Sequence, residues 1–179
     1  MLFRSNNLLK RYIKAVEETN AEIVVRFPAD NATPEPKEID KIIDFHNSQK
    51  EMGFSSNLAE IFNSGYPDGI GAEVFDAKYL FECLGNNPSK EQIEHIHLNF
   101  YDYKTQKIVK NYVPVMAPMP SKLLQRPEFA LDINTLDQYY FIRNIDCQIR
   151  LRLYKESFGL TTKFWIDNSS IHKYCKMWF

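Results

Sequence analysis

Leu8, Leu9, Tyr12, Ile13 and Val16 recur at helical spacing on an otherwise polar stretch, which predicts a helix from an N-cap at Ser5 to about Thr19. The period then breaks. Ile23-Val24-Val25 is too continuously apolar for a one-sided strand, so Glu22–Phe27 reads as a strand buried on both faces. Pro28 has no N–H to give and stops its ladder. Pro34 and Pro36 suit a helix start, and Ile39, Ile42, Ile43 and His46 mark its buried stripe to about Ser48. A short strand at Met52–Asn57 and a loop at Leu58–Ser64 follow, then a helix over Asp76–Leu84. Ser89-x-x-Gln92 is a capping box that opens a helix toward Asn99. Lys107–Val115 alternates as a strand does, and Val113–Pro120 is a Pro- and Met-rich connection. Phe129–Leu131 reads as a short strand, Asn134 as the cap of a helix through Arg143 or beyond, and Ser170–Met177 as a last helix. Helix and strand alternate in the rhythm of an α/β fold, a mixed and mostly parallel sheet flanked by helices.

Composition narrows the class. A chain of 179 residues is long enough for one domain with a real core, and 44% hydrophobic with 25% charged residues is ordinary globular usage. Lys+Arg 22 against Asp+Glu 23 leaves no basic excess to attract nucleic acid. No apolar run approaches the roughly 20 residues of a membrane span, and Met1-Leu2-Phe3-Arg4 is too short a start for a signal peptide. Cys83, Cys147 and Cys175 are odd in number and lack C-x-x-C spacing, which suits free thiols in a reducing cytoplasm.

The candidate chemistry is acidic. Asp30 and Asp132 each follow a predicted strand and precede a predicted helix. If those strands are parallel neighbours, both carboxylates lie on the rim where open parallel sheets bind ligands. A pair of hard oxygen ligands, with positions left for phosphates and water, suits Mg²⁺ and hence phosphoryl or nucleotidyl transfer. Aspartates before helices are more often plain caps. Pro67-Asp68-Gly69 is a turn, and Gly71 removes a side chain where a ligand or a backbone comes close. Glu73 after this loop is either a site carboxylate or a surface strand residue. His95 and His97, at i,i+2 on a helix, diverge and read as packed or exposed rather than as a metal pair. Asp137 favours the dipole of its helix, Arg150-Leu151-Arg152-Leu153-Tyr154 reads as a solvated face, and Trp165, Trp178 and Phe179 suit core or a dimer contact.

Several stretches, taken in order, resemble the CMP-sugar cytidylyltransferases (acylneuraminate- and KDO-cytidylyltransferase-like), especially the spore coat polysaccharide synthesis branch. Phe3-Arg4-Ser5-Asn6-Asn7-Leu8-Leu9-Lys10-Arg11-Tyr12 is similar to the family's segment before the strand that delivers the metal acid. Val24-Val25-Arg26-Phe27-Pro28-Ala29-Asp30 resembles V-V-R-x-x-G-D, and Ser56-Asn57 precedes Tyr66-Pro67-Asp68-Gly69 and Glu73-Val74-Phe75 as in Y-P-D-G-x-x-x-E-V-F. Glu94-His95-Ile96 is similar to E-H-V, and Leu131-Asp132-x-Asn134-Thr135-x-Asp137 to V-D-T-x-x-D. The match runs over about residues 1–145 and leaves 146–179 as a divergent tail.

The resemblance implies a single truncated domain over 1–179 with a partial nucleotide-diphospho-sugar transferase (Rossmann-like) fold. It implies a Mg²⁺-dependent cytidylyltransferase of cell-surface polysaccharide biosynthesis: an acidic sugar's hydroxyl attacks the α-phosphate of CTP, and pyrophosphate leaves. Asp30 and Asp132 would hold Mg²⁺ as the catalytic acids and Arg26 would lie near the nucleotide. Tyr66, Asp68, Glu73 and His95 would line the sugar side. The expected protein is cytoplasmic and self-associating or homodimeric, with no nucleic-acid or membrane partner. This chain departs from the pattern at Ala29, Ala32, Gly71 and His97, and the family's Gly-Ser-x-Arg-x-x-x-Lys phosphate loop has no counterpart in it. The alternatives are a non-catalytic sugar-binding or dimerisation remnant of that family, and an unrelated α/β domain.

Overall fold

In the computed structural model, which describes residues 7–49, 53–61, 64–109, 114–116 and 122–158, the first apolar stripe forms helix α1 (Leu8–Thr19). Its N-cap is Asn7, not Ser5: Asn7 Oδ1 accepts from the Lys10 N–H at 2.8 Å. Leu9, Ile13 and Val16 are its buried residues, and Asn20 takes a left-handed conformation (φ 54°) to end it. Strand β1 (Ile23–Arg26) follows, then α2 (Pro36–Ser48), where Pro36 opens the helix and Glu38, Ile42 and His46 are buried. Strands β2 (Phe54–Ser56) and β3 (Glu73–Asp76) come next, with the loop carrying Tyr66–Gly71 between them. Helix α3 (Lys78–Gly85) starts two residues later than its pattern predicts, because Asp76 closes β3.

The sheet order is β1–β3–β2–β6, with β6 at Pro114–Met116. Among the described residues of this sheet, β2–β6 is parallel and β1–β3 and β2–β3 are antiparallel. This corrects the mostly parallel sheet expected from the sequence. It also corrects the burial of β1, whose four residues are all half-buried because the strand lies at one end of the sheet. A β-branched run signals a strand without saying which neighbour it takes. Pro114 lies in β6, inside the stretch expected to be a connection. At the other end of the sheet a missing N–H is tolerated. The strand predicted over Lys107–Val115 reaches only Lys107–Ile108 (β5) before that, and pairs with β4 (Tyr101–Asp102) in a separate ribbon.

Register explains the layering. Phe54 and Phe75 are cross-strand partners, and both rings stack on Phe100, at centroid distances of 5.4 and 5.3 Å. Leu9, Ile13 and Val16 of α1, Leu80 and Cys83 of α3, and Ile96 join this core. Each large apolar side chain so buried contributes about 1.5–3 kcal/mol. On the opposite pleat, Ser55 and Asp76 meet His46 of α2, whose Nδ1 lies 2.8 Å from Ser55 Oγ and Nε2 3.1 Å from Asp76 Oδ1. Ser55 is fully buried, so no substrate reaches its hydroxyl; the trio ties α2 to the sheet.

The capping box at Ser89 forms with both reciprocal bonds, but its helix α4 is short (Lys90–Glu94). The chain leaves the helix at His95 (φ −111°, ψ 89°) and continues as a 3₁₀ turn over Ile96–Asn99.

The chain divides into two units, Met1–Asp132 and Ile133–Phe179. In the second, α5 (Leu136–Phe158) is capped by Thr135 rather than Asn134. Thr135 Oγ1 accepts from the Gln138 N–H at 3.2 Å, and Gln138 Oε1 accepts from the Thr135 N–H at 2.9 Å. Asp137 lies in the first turn, as expected. The predicted helix at Ser170–Met177, together with Trp165, Trp178 and Phe179, lies outside the described residues.

Candidate functional site

Three loops of the first unit are laced together by backbone bonds, and each carries an aspartate. Asn31, next to Asp30, forms an isolated antiparallel bridge with Asp132. Asp68 bridges Ala130: its N–H donates to Phe129 O and its carbonyl accepts from Leu131 N–H, both at 2.9 Å. The expected strand at Phe129–Leu131 is therefore a single bridge at Ala130, outside the sheet, and the loops carrying Asp30 and Asp132 are joined by a second bridge, not by parallel strands. Gly69, at φ 88°, makes the lacing possible, since a Cβ there would sit 2.4 Å from the Leu131 carbonyl carbon. Asn31 Nδ2 also donates to Gly71 O at 3.0 Å, which fastens the first loop to the second.

The charges in this region are felt. Burial, and then the neighbouring charge of Asp132 and more weakly Asp30, push the Asp68 carboxyl above the ordinary value. Glu60 is raised by burial and by Asp68, Glu73 and Asp132, so it senses this group and the next one together.

That next group lies on one cross-strand row. Arg26 and Ser56 are the register partners of Glu73 on its two sides, so all three side chains emerge on the same face of the sheet. Glu73 is fully buried; its Oε2 accepts from Arg26 Nη1 at 2.5 Å and its Oε1 from the Tyr103 hydroxyl at 2.9 Å. Tyr103 also lies 2.9 Å from Ser56 Oγ. Burial pulls the Arg26 guanidinium down, but the Glu73 carboxylate outweighs it and the net shift is upward. The Tyr103 hydroxyl is pushed well above its ordinary value by burial and by Glu73. His97 Nδ1 stands 3.7 Å from Glu73 Oε1, and the His97 ring lies 5.9 Å from that of His95. The helix break at His95 is what lets these two rings approach, against the divergence expected of a continuous helix.

No protein-family model and no curated protein matches the chain. Its structure is similar to a solved cytidylyltransferase from Leptospira borgpetersenii serovar Hardjo-bovis, with a TM-score of 0.62 and 20% identity over 78% of this chain and 55% of that one. The fold is similar to a cytidylyltransferase's. At this identity the likeness is one of fold, a mixed α/β architecture, and the chain spans about half the length of the solved protein, 55%.

Within this cytidylyltransferase-like fold the sequence-predicted residues fall into three places. Asp30, Asp68 and Asp132 belong to the laced loops, and Arg26 and Glu73 to the row on the sheet, with exposed His95 at its margin. Glu73 is thus no surface strand residue. Tyr66 belongs to neither: its ring is buried and its hydroxyl donates to Glu38 Oε2 at 2.6 Å. Burial and that carboxylate push its ionisation upward. Asn57, fully buried, clamps the same loop, since its Nδ2 donates to Glu38 O at 3.0 Å and its Oδ1 accepts from Ala72 N–H at 2.7 Å. Gly71 makes room for that backbone rather than for a ligand: a Cβ would meet Asn57 O at 2.4 Å. Sequence reasoning missed Tyr103 and Glu38, whose roles depend on partners 30 and 28 residues away. No local signal marks them.

Among the described residues no group of three or more His, Cys, Asp and Glu side chains is arranged to hold a metal ion. None of their helices is long and apolar enough to cross a membrane.

Proposed function

We propose that the chain carries the metal and acceptor side of a Mg²⁺-dependent cytidylyltransferase, which transfers CMP from CTP to an acidic sugar of a cell-surface polysaccharide pathway. The observation that carries this reading is the Asn31–Asp132 bridge, which joins the two acid-bearing loops in a fold similar to a cytidylyltransferase's. Mg²⁺ commonly takes one or two carboxylates and leaves its other positions to phosphates and water, so a pair of aspartates suffices where a three-ligand cage is absent. The upward shift of Asp68, from burial first and then from the charges of Asp132 and Asp30, supports the fit, because a cation would relieve the repulsive part of it.

In this reading Asp30 and Asp132 hold the ion, which when bound supplies charge neutralisation at the triphosphate. Asp68 faces the sugar, while Glu73, buried and paired with Arg26 at 2.5 Å, supports that surface from behind and fixes the Arg26 guanidinium beside the nucleotide. His95 stands at the rim of that row. Tyr66 acts at one remove, by pinning the sugar loop to Glu38 of α2. No protein nucleophile is required, since the sugar hydroxyl attacks phosphorus directly. The phosphate-gripping loop of the family is supplied in this reading by a further polypeptide segment, and self-association and a cytoplasmic location belong to the same proposal.

Calorimetric titration of the chain with Mn²⁺, and with CTP in Mg²⁺, tests the reading. Asp30→Asn and Asp132→Asn should each weaken divalent-cation binding at least about tenfold, the loss of one charged ligand. Equal binding by wild type and both variants, or none by wild type, would overturn it.

A further inference from the structure

One polar atom of the sheet-face row is left over. His97 Nδ1 is buried and has no hydrogen-bond partner. A buried polar atom in that state costs about 1–3 kcal/mol, so it calls for a reason. Its nearest charged neighbour is Glu73 Oε1 at 3.7 Å, too far for a hydrogen bond yet within easy reach of one. Each oxygen of an ionised carboxylate can accept twice, and Tyr103 fills one position on Oε1. The side chain of His97 is 19% exposed and that of Glu73 1%, so little water competes between them.

We infer that His97 is a proton-operated latch that positions Glu73: as imidazolium it closes and donates Nδ1–H to Glu73 Oε1, and as neutral imidazole it stands off at the distance seen here. The groups that face it are few. Glu73 comes from β3, Arg26 from β1, Tyr103 from the turn after β4 (ring centroids 4.8 Å apart), Asp102 from β4 itself and His95 from the end of α4. Burial pushes the imidazole below its ordinary value; Glu73 and Asp102 pull it up, while Arg26 and His95 push with burial. The latch is therefore open at neutral pH and closes in acid.

Closure changes the charge of the row. Arg26 and Glu73 cancel when His97 is neutral; with His97 protonated the three carry one net positive charge, and Glu73 is shared between two cations. The inference stands on the placement of His97 against Glu73 and not on the metal reading, so failure of the divalent-cation test leaves it standing.

Side-chain NMR on the full chain, from neutral to acid pH, decides it. The Glu73 carboxyl carbon should step at the same midpoint as the His97 ring nitrogens, and an Nδ1 proton protected from solvent exchange should appear on the acid side. His97→Gln should abolish that step. Tyr103→Phe, which takes from Oε1 its other hydrogen-bond donor, should raise the His97 midpoint, because the carboxylate then draws more strongly on the imidazolium. No Glu73 step in wild type, a step that survives in His97→Gln, or no protected Nδ1 proton would overturn the latch. Should His97→Gln not fold, an unmoved midpoint in Tyr103→Phe would overturn it equally.

Discussion

Arg26→Met is the most discriminating single change on the sheet face. It removes the cation from a carboxylate with no exposed surface, and leaves Glu73 with the Tyr103 hydroxyl at 2.9 Å as its bonded partner. Removing one member of a buried ion pair costs about 3–5 kcal/mol, because the remaining charge stays desolvated. With a urea dependence of about 1–3 kcal/mol per molar, a loss near 4 kcal/mol moves the unfolding midpoint down by about 2 M. Arg26→Met/Glu73→Met removes both charges, and Tyr103 keeps Ser56 Oγ within 2.9 Å. The double variant should therefore return to within about 1–2 kcal/mol of wild type, since a buried pair and its apolar replacement are often close in energy. Urea unfolding followed by circular dichroism reads both values. A single-variant loss under about 1 kcal/mol, or a double variant no more stable than Arg26→Met, would refute the claim that the pair is held by mutual neutralisation in a buried row.

Gly71→Ala places a methyl 2.4 Å from the Asn57 carbonyl oxygen, a backbone atom that cannot swing aside, and should cost about 1–3 kcal/mol or more. Gly85→Ala, with nothing within 4 Å at the end of α3, should be neutral or stabilise by up to about 1 kcal/mol, and thermal melts of the two variants should diverge in sign. The Asp68 carboxyl is held above its unfolded value, so its ionised form destabilises the fold. That penalty is full above the folded pKa and vanishes below the unfolded value near 3.8. Asp68→Asn should thus stabilise the protein at neutral pH and give no gain in strong acid. Added Mg²⁺ should shrink the neutral-pH gain if the cation occupies the neighbouring pair, and a gain independent of both pH and Mg²⁺ would contradict this electrostatic account.

Features encoded within a few residues were legible in the sequence. The α1 stripe, the Pro36 start of α2 and the Ser89–Gln92 box all form, because period and capping are contacts between near neighbours along the chain. The acids at 30, 68, 73 and 132 could be singled out by their places beside strands and turns, and Asp30 could be paired with Asp132 by analogy, but the contacts that group them could not be read. Grouping required the register that sets Glu73 between Arg26 and Ser56, and the loop bridges that set Asn31 beside Asp132. No local pattern announces that the Tyr66 hydroxyl donates to Glu38, a partner on another element.

The amino-acid order alone determined where helices begin, where proline stops a strand and which side chains are apolar enough to be covered. Tertiary structure alone decided strand direction, the end position of β1, the approach of His97 to Glu73 and the meeting of the acid-bearing loops. The division has a physical cause. Propensity and capping act over one turn of chain, whereas the pairing of strands and the sharing of a buried charge are set by which distant segments exclude water together.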